Sequence, residues 1–489
     1  MVVKLKKLIR DMLCHIVVKG SKEIDITGIS NHSKKVYPGN LFIAKRGLSS
    51  DGSLYIPEAI ANGAVAILTD LYDPFLPPHI TQLVASDMTC AESELLKLYY
   101  HDPSAHMKLF AVTGTNGKTT STYLIRHVLE GLGTKTGLIS SIEYVAGSHH
   151  FPSTHSTPDL ATNYKLFSEM QQAGCTAAVM EAASHGLDQE RLFGLNVAVA
   201  VFTNLTVDHL DYHQTMDAYL AAKAKLFQNL AETSTAVVNA DTDCLEPLLR
   251  GCPARLMTYG IERAADCRAT DLKLAANKSY FQVEYRGEKI STSFPLIGKF
   301  NVYNYLAAVT ALLSQGVDLK LITSLLSQFK NVPGRLERIA HPRGASVFVD
   351  YAHTGDGLKN VLETLAAVKK GRLITVFGSG GDRDPNRRFQ MGEVADKLSD
   401  VSIITTDNAR NEDPEKIARE IASVFKTTAP LVELDRRAAI KKAVEMAAPS
   451  DVVLIAGKGH ETLQILSHQT LHFDDREVAR EEIRRLIPK

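Results

Sequence analysis

The stretch Gly114-Thr115-Asn116-Gly117-Lys118-Thr119-Thr120 constrains the fold of this chain more than any other. A short apolar run, Leu109 to Thr113, leads into it, and Ser121 to Leu129 leaves with helical spacing. The order strand, glycine loop, helix turns backbone N–H groups inward around an anion at a helix N-terminus. Lys118 adds a point charge for terminal phosphates, and the Thr119 hydroxyl is placed to ligate Mg²⁺. The common spacing G-x-x-x-x-G-K-[ST] would need glycine where Val112 stands, so the shorter G-T-N-G-K-T pattern is the narrower signal. A turn capped only by glycines would leave the lysine and threonines unexplained.

At 489 residues the chain exceeds one ordinary domain; a prior of ~100–200 residues per domain suggests about three. Lys+Arg and Asp+Glu each number 55, giving zero formal net charge. No global field steers a polyanion inward, and interleaved aromatics on a basic face are missing, which excludes a nucleic-acid partner. The six cysteines lack C-x-x-C pairs. That pattern predicts free thiols, with neither disulfides nor a zinc site. Met1 to Gly20 reads as an amphipathic helix without a secretory h-region. No apolar run approaches the ~20 residues of a membrane helix. The expectation is a cytoplasmic monomer with no membrane partner.

Three units are predicted: 1–104, 105–334 and 335–489. The first alternates short apolar runs (Leu41 to Ala44, Val65 to Leu68) with turns, closes with a helix from Ala91 to Tyr100, and ends at His101-Asp102-Pro103-Ser104. The second begins at the strand feeding the phosphate loop. It continues with buried strands near Ala177 to Met180, Val197 to Phe202 and Thr235 to Val238, and its segment Arg268 to Ile297 reads as an antiparallel edge addition. Beyond Val332-Pro333-Gly334-Arg335, the runs Ser346 to Val349, Leu373 to Phe377, Val401 to Thr405 and Val452 to Ala456 predict a third α/β unit. Strands alternating with helices imply parallel sheets with ligands at the strand C-termini.

Chemistry-bearing residues cluster after these strands. Glu181, directly after one of them, is placed for Mg²⁺ or is a helix N-cap or solvated loop acid. Asn204 to His213 packs two histidines and two aspartates; His209 reaches a second metal or belongs to a surface cluster without ligands. Lys223, on a helix of small residues, reads in isolation as solvated. In the third unit Asp350 to Thr354, Gly380 to Asp384 with Arg387 and Arg388, Asp407 to Arg410, and Gly457 to Glu461 follow successive strands. Converging there, they suit a zwitterionic or dicarboxylic substrate.

Together these segments resemble the ATP-dependent Mur ligases of bacterial cell-wall synthesis, in order from about Gly28 to Glu477. The carrying motifs are Gly114 to Thr120, Glu181 to Gly186, Asn204 to His213, Phe300 to Asn304, Gly334 to Glu337, Asp350 to Thr354, Gly380 to Asp384 and Gly457 to Glu461. The resemblance implies an α/β, three-domain architecture. It comprises an N-terminal UDP-sugar domain, a central P-loop ATPase domain of mostly parallel sheet, and a C-terminal Rossmann-like domain that brings an amino acid. The implied substrates are ATP, UDP-N-acetylmuramoyl-L-alanyl-D-glutamate and meso-diaminopimelate, joined through an acyl phosphate.

By the same resemblance, Ser33 contacts the uridine end, and Ser156, Thr157, Ser184, Gln189 and Arg191 the muramoyl dipeptide. Gly114, Thr115, Asn116, Gly117, Lys118, Thr119, Thr120, Asn301, Asn304, Arg335 and Asp350 surround ATP. Thr119, Glu181, His209 and Lys223 hold Mg²⁺, with Lys223 aligned to a lysine carrying a CO₂-derived carbamate; Lys118, Lys223, His209 and Glu181 form the catalytic set. Arg388, Asp407, Asn408, Ala409, Arg410, Gly457 and Glu461 take the amino acid. Arg410 can form a bidentate pair with the second carboxylate of diaminopimelate, where lysine carries only an ammonium. Departures from the family pattern are Ala409 and Gly355, each replacing proline, Asn31-His32-Ser33-Lys34 and Leu48-Ser49 near the UDP end, and His155-Ser156-Thr157. Ala409 predicts a loosened loop. Competing readings are a lysine-adding ligase, a phosphate-loop ATPase or kinase, and a nucleotide-binding scaffold without catalysis.

Overall fold

The computed structural model describes residues 2–47, 50–275 and 277–486. Three sheets organise them. In the first, Ile16–Lys19, Thr81–Ala85, Ala66–Thr69, Asn40–Ile43 and Gly28–Ser30 lie in that spatial order, parallel except for the first pair.

The central sheet has eleven strands. Its middle runs Thr136–Ile139, Ala177–Glu181, Lys108–Thr113, Val197–Phe202, Thr235–Asn239 and Arg255–Gly260, all parallel. These strands are covered on both faces and read as near-continuous apolar runs, as buried parallel strands must. The chain leaves Lys108–Thr113 toward one side of the sheet and later returns on the other. The phosphate loop therefore sits at the point where strand order reverses. The expected edge addition is present as the antiparallel strands Cys267–Leu274, Ser279–Tyr285 and Glu288–Phe294. The third sheet orders Glu337–Ala340, Ser346–Asp350, Val452–Ala456, Leu373–Phe377, Val401–Ile404 and Leu431–Val432, parallel except for the first pair.

One expectation fails at the N-terminus. Only Leu5–Arg10 is helical; Val3–Lys4 and Ile16–Lys19 are strands. The β-branched pairs there gain more by joining Asp25–Ile26 and Thr81–Ala85 than by extending a short helix. The later helix runs Met88–Tyr100, starting earlier than its apolar pattern because Asp87 caps the Cys90 N–H.

A single apolar core runs from Leu5 and Leu8 through Tyr99 and Met107 to Phe167 and Phe202, so the first two units pack as one body. The third unit has its own cores on either side of its sheet. Among the described residues, no helix is long and apolar enough to cross a membrane.

Candidate functional site

Register places the reactive side chains. Glu181 pairs with Val112 and Phe202 with Thr113, so the ends of three neighbouring strands lie level and their loops open on one side. The loop after Thr113 depends on glycine at two points. At Gly114 φ is +144°, and a Cβ would stand 1.9 Å from Thr203 Oγ1; at Gly117 φ is +87°, and a Cβ would meet Asn304 Oδ1 at 2.2 Å. Helix Lys118–Gly131 starts there, its N-terminus facing the cavity.

Thr119 Oγ1 donates to Glu181 Oε1 at 2.9 Å, and the Ser141 N–H donates to the same oxygen at 2.8 Å. Arg335 Nη2 reaches Thr119 Oγ1 at 3.2 Å from the linker to the third sheet, and its guanidinium lies 4.4 Å from the Tyr351 ring centroid. Asp350 fixes that linker, accepting from the Leu336 N–H at 2.6 Å and the Ala352 N–H at 2.8 Å; burial raises its carboxyl above the usual range. Neutral oxygens and a carboxylate at a helix N-terminus are a hard donor set that fits Mg²⁺.

Lys223 is not solvated as its sequence neighbourhood suggested. It is 1% exposed, lies 4.2 Å from the Tyr219 ring centroid, and donates to the Gly114 carbonyl at 2.9 Å. Burial, reinforced by Lys118, pushes its pKa well below the usual lysine range. Lys118 Nζ donates to Gly114 O at 2.9 Å and Thr115 O at 2.7 Å. His209 follows Val197–Phe202 with left-handed backbone, φ 54°, which aims its ring toward His185, the centroids 4.8 Å apart. Burial lowers the His209 pKa to about 4, against the pull of Asp208. A neutral imidazole lining the same cavity as Glu181 and Lys223 fits a metal ligand.

These residues line a cavity of about 1090 Å³. It takes in the loop from Thr115 to Thr120, Ser156, Thr157, Glu181, Ser184, Gln189, Arg191, His209, Lys223, Asn301, Asn304, Arg335 and Asp350. Arg191 is held by the Thr157 carbonyl at 2.7 Å and Gln189 Oε1 at 2.7 Å. Ser33 is not among the lining residues; its hydroxyl donates to Glu58 Oε2 at 2.5 Å in the first unit. Leu48 and Ser49 lie outside the described residues.

A second cavity, about 340 Å³, shares His185, His209, Tyr351, His353 and Arg383 with the first. Asp407, Asn408, Arg410, Gly457 and Glu461 line it. Asn408 Nδ2 donates to Glu461 Oε2 at 2.8 Å, while Lys458, itself buried, donates to Asn408 Oδ1 at 3.1 Å and Glu461 Oε2 at 3.2 Å. Arg410 Nη1 donates to Gly381 O at 2.7 Å. Arg388 is not in the lining: it is 1% exposed and paired with Glu412 at 2.7 Å and Glu420 at 2.6 Å. Arg387 lines the cavity in its place and crosses to Asp208 Oδ1 at 3.2 Å. The Ala409 methyl is 1% exposed within the apolar core, so packing holds the loop that lacks proline.

Sequence reasoning missed several contributors. Ser141, Asp356 and Arg436 carry no motif. Asp356 accepts from Asn116 Nδ2 at 3.3 Å and Thr206 Oγ1 at 2.9 Å, and Arg436 forms a fully buried pair with Asp475 while donating to the Ala456 carbonyl at 2.9 Å. Asp356 had one available signal, its place at the N-terminus of helix Gly355–Val368 directly after the Asp350 to Thr354 motif.

Fold and site together define a nucleotide-dependent enzyme whose phosphate loop and amino-acid-sized cavity meet across a seam between two bodies. Family comparisons agree: the Mur ligase family catalytic domain matches residues 25–95, the Mur ligase middle domain 112–312, and the Mur ligase glutamate ligase domain 334–459. A curated relative from Chlamydia caviae, named UDP-N-acetylmuramoyl-L-alanyl-D-glutamate–2,6-diaminopimelate ligase, is 42% identical over 98% of both chains. One of the same name from Syntrophomonas wolfei is 41% identical over 98% of this chain and 99% of its own. A solved structure of a ligase of that name superposes with TM-score 0.70 at 30% identity, covering 99% of each chain. The chain belongs to the Mur ligase family.

Proposed function

We infer that this protein is an ATP-dependent ligase that joins meso-2,6-diaminopimelate to the D-glutamate of UDP-N-acetylmuramoyl-L-alanyl-D-glutamate, a step of peptidoglycan precursor synthesis. The observation that carries the choice of amine is that Arg410 and Glu461 line one cavity. A guanidinium and a carboxylate are the complements of the distal carboxylate and ammonium of diaminopimelate. Residues 1–104, 105–334 and 335–489 are proposed as the UDP-sugar, ATP and amino-acid units.

A carboxylate is a poor electrophile, so its oxygen attacks the γ-phosphate of ATP first, giving an acyl phosphate, and the amine then displaces phosphate. The N-terminus of helix Lys118–Gly131 and the Lys118 side chain are proposed to meet the transferring phosphoryl group, where they stabilise its charge. Arg335 reaches the same point from the third unit. Thr119, Glu181 and His209 would hold Mg²⁺, which when bound supplies charge neutralisation at the phosphates. Lys223, whose pKa burial lowers well below the usual lysine range, is proposed to carry a carbamate; that converts a buried donor into an anion able to face a cation. Asp356, Arg387 and His460 hold the third unit against the second and exclude water, which would otherwise consume the acyl phosphate.

Purified protein supplied with ATP, the UDP-dipeptide and either diaminopimelate or lysine tests this reading. Amide product with diaminopimelate is expected; preference for lysine, or phosphate release indifferent to any amine, overturns it.

A further inference from the structure

Outside both cavities, three side chains converge that the ligase reaction does not use. Cys14 lies in the turn between helix Leu5–Arg10 and strand Ile16–Lys19. Cys90 and Glu94 stand four apart on helix Met88–Tyr100, a spacing that puts them on one face. One ligand atom from each of the three lies within 4.8 Å of the others. Burial, with the Glu94 carboxylate and Cys90 beside it, pushes the Cys14 thiol pKa up to about 12. Glu94 Oε2 also accepts the Leu13 N–H at 2.8 Å and the Cys14 N–H at 2.9 Å, which fixes the carboxylate against the turn bearing Cys14.

We propose that Cys14, Cys90 and Glu94 form a site for a thiophilic divalent cation of the zinc class. Two sulfurs and one carboxylate oxygen are a donor set suited to tetrahedral zinc, with water completing the fourth position. Zinc–sulfur bonds of ~2.3 Å hold neighbouring sulfurs ~3.7 Å apart in a tetrahedron. Binding replaces the two thiol protons, which pass to solvent, and leaves two thiolates and a carboxylate around a dication. A disulfide between the same sulfurs would need an oxidant and would give the backbone-anchored Glu94 no part.

The site also has a structural consequence. Helix Met88–Tyr100 joins the first unit to the second: Thr89 Oγ1 donates to Glu190 Oε2 at 2.7 Å, and Ser93 Oγ donates to the Phe193 carbonyl at 3.2 Å. A cation bound here ties the N-terminal turn to that helix and stabilises the body that holds the phosphate loop. Cysteine spacing gave no signal of such a site, since sulfurs distant in sequence meet only after folding.

The test uses the full chain, reduced with a phosphine, stripped with a chelator and titrated with Co²⁺ alone, then Zn²⁺. A thiolate-to-cobalt charge-transfer band saturating at one equivalent is expected, bleached by Zn²⁺, together with a Zn²⁺-dependent rise in Tm. Cys14→Ser and Cys90→Ser should each lose the band, whereas Cys252→Ser should keep it, and ligase turnover should survive in all three. Should a variant fail to fold, alkylation of the unmodified chain decides: Zn²⁺ should protect Cys14 and Cys90, but not Cys252, in peptide maps. No band in the unmodified chain, a band retained by Cys14→Ser, or unprotected Cys14 and Cys90 overturns the proposal.

Discussion

Lys223 Nζ lies 2.9 Å from the carbonyl oxygen of Gly114, the first residue of the phosphate loop. The same oxygen accepts from Lys118 at the same distance. Two amines on one carbonyl repel if both are charged, and burial lowers the pKa of each, that of Lys223 well below the usual range. A lowered pKa raises the share of free amine, the form nucleophilic toward CO₂.

Lys223→Ala is accordingly expected to lose most ligase activity while the fold persists. Short carboxylates in the assay should restore part of it by occupying the vacated space near Glu181. Near-normal activity without added carboxylate would remove Lys223 from the reaction.

Arg410→Ala should act on the amine substrate rather than on ATP. A charge-assisted hydrogen bond is worth about 1.5–3 kcal/mol, so kcat/KM for diaminopimelate should fall about ten- to hundred-fold. Steady-state kinetics with each substrate varied in turn would show this; an unchanged KM for diaminopimelate would refute the pairing.

Asp356 receives hydrogen bonds from Asn116 and Thr206 of the central unit. Asp356→Ala should loosen the seam, lower kcat, and raise the fraction of phosphate released without amide formation, because water gains access to the acyl phosphate. Parallel measurement of phosphate and amide product checks the ratio, and a tightly coupled ratio counts against a closure role.

His460 supplies a pH signature. Its Nε2 lies 3.0 Å from the Ser141 carbonyl, so that nitrogen carries the proton, and burial, with Arg335 nearby, lowers its pKa from 6.5 to about 3. The folded protein therefore binds fewer protons than the unfolded chain between those values. This contribution holds above pH 6.5 and is lost progressively as pH falls toward about 3. Tm measured across mildly acidic pH should decline less steeply for His460→Gln than for the unmodified chain; identical slopes would place the acid sensitivity elsewhere.

The phosphate-loop pattern, the acid after a buried run and the largely parallel α/β class were legible because their signals are local. Glycines at loop positions, an acid after a buried run and a helix start are contiguous in the chain, and a parallel α/β sheet is the arrangement that uses them. Arg410 was legible as a charge but not as part of a wall. Glu461, which lines the same cavity, and the buried Lys458 that braces Glu461 follow a different strand of the third sheet.

What the sequence alone determined is the kind of chemistry to expect: a phosphate-loop pattern, an acid suited to Mg²⁺ and a basic residue suited to a dicarboxylic amine. Burial decided the rest. Lys223 is an ordinary surface lysine by its neighbours and becomes a displaced amine only when Tyr219 and Gly114 enclose it. Arg388 and Arg387 are adjacent and alike in sequence, yet one is locked between Glu412 and Glu420 while the other faces the cavity. Cys14 and Cys90 look unrelated until a turn packs against a helix. Charge state and accessibility depend on what surrounds a side chain in space, and those surroundings come from residues far away along the chain.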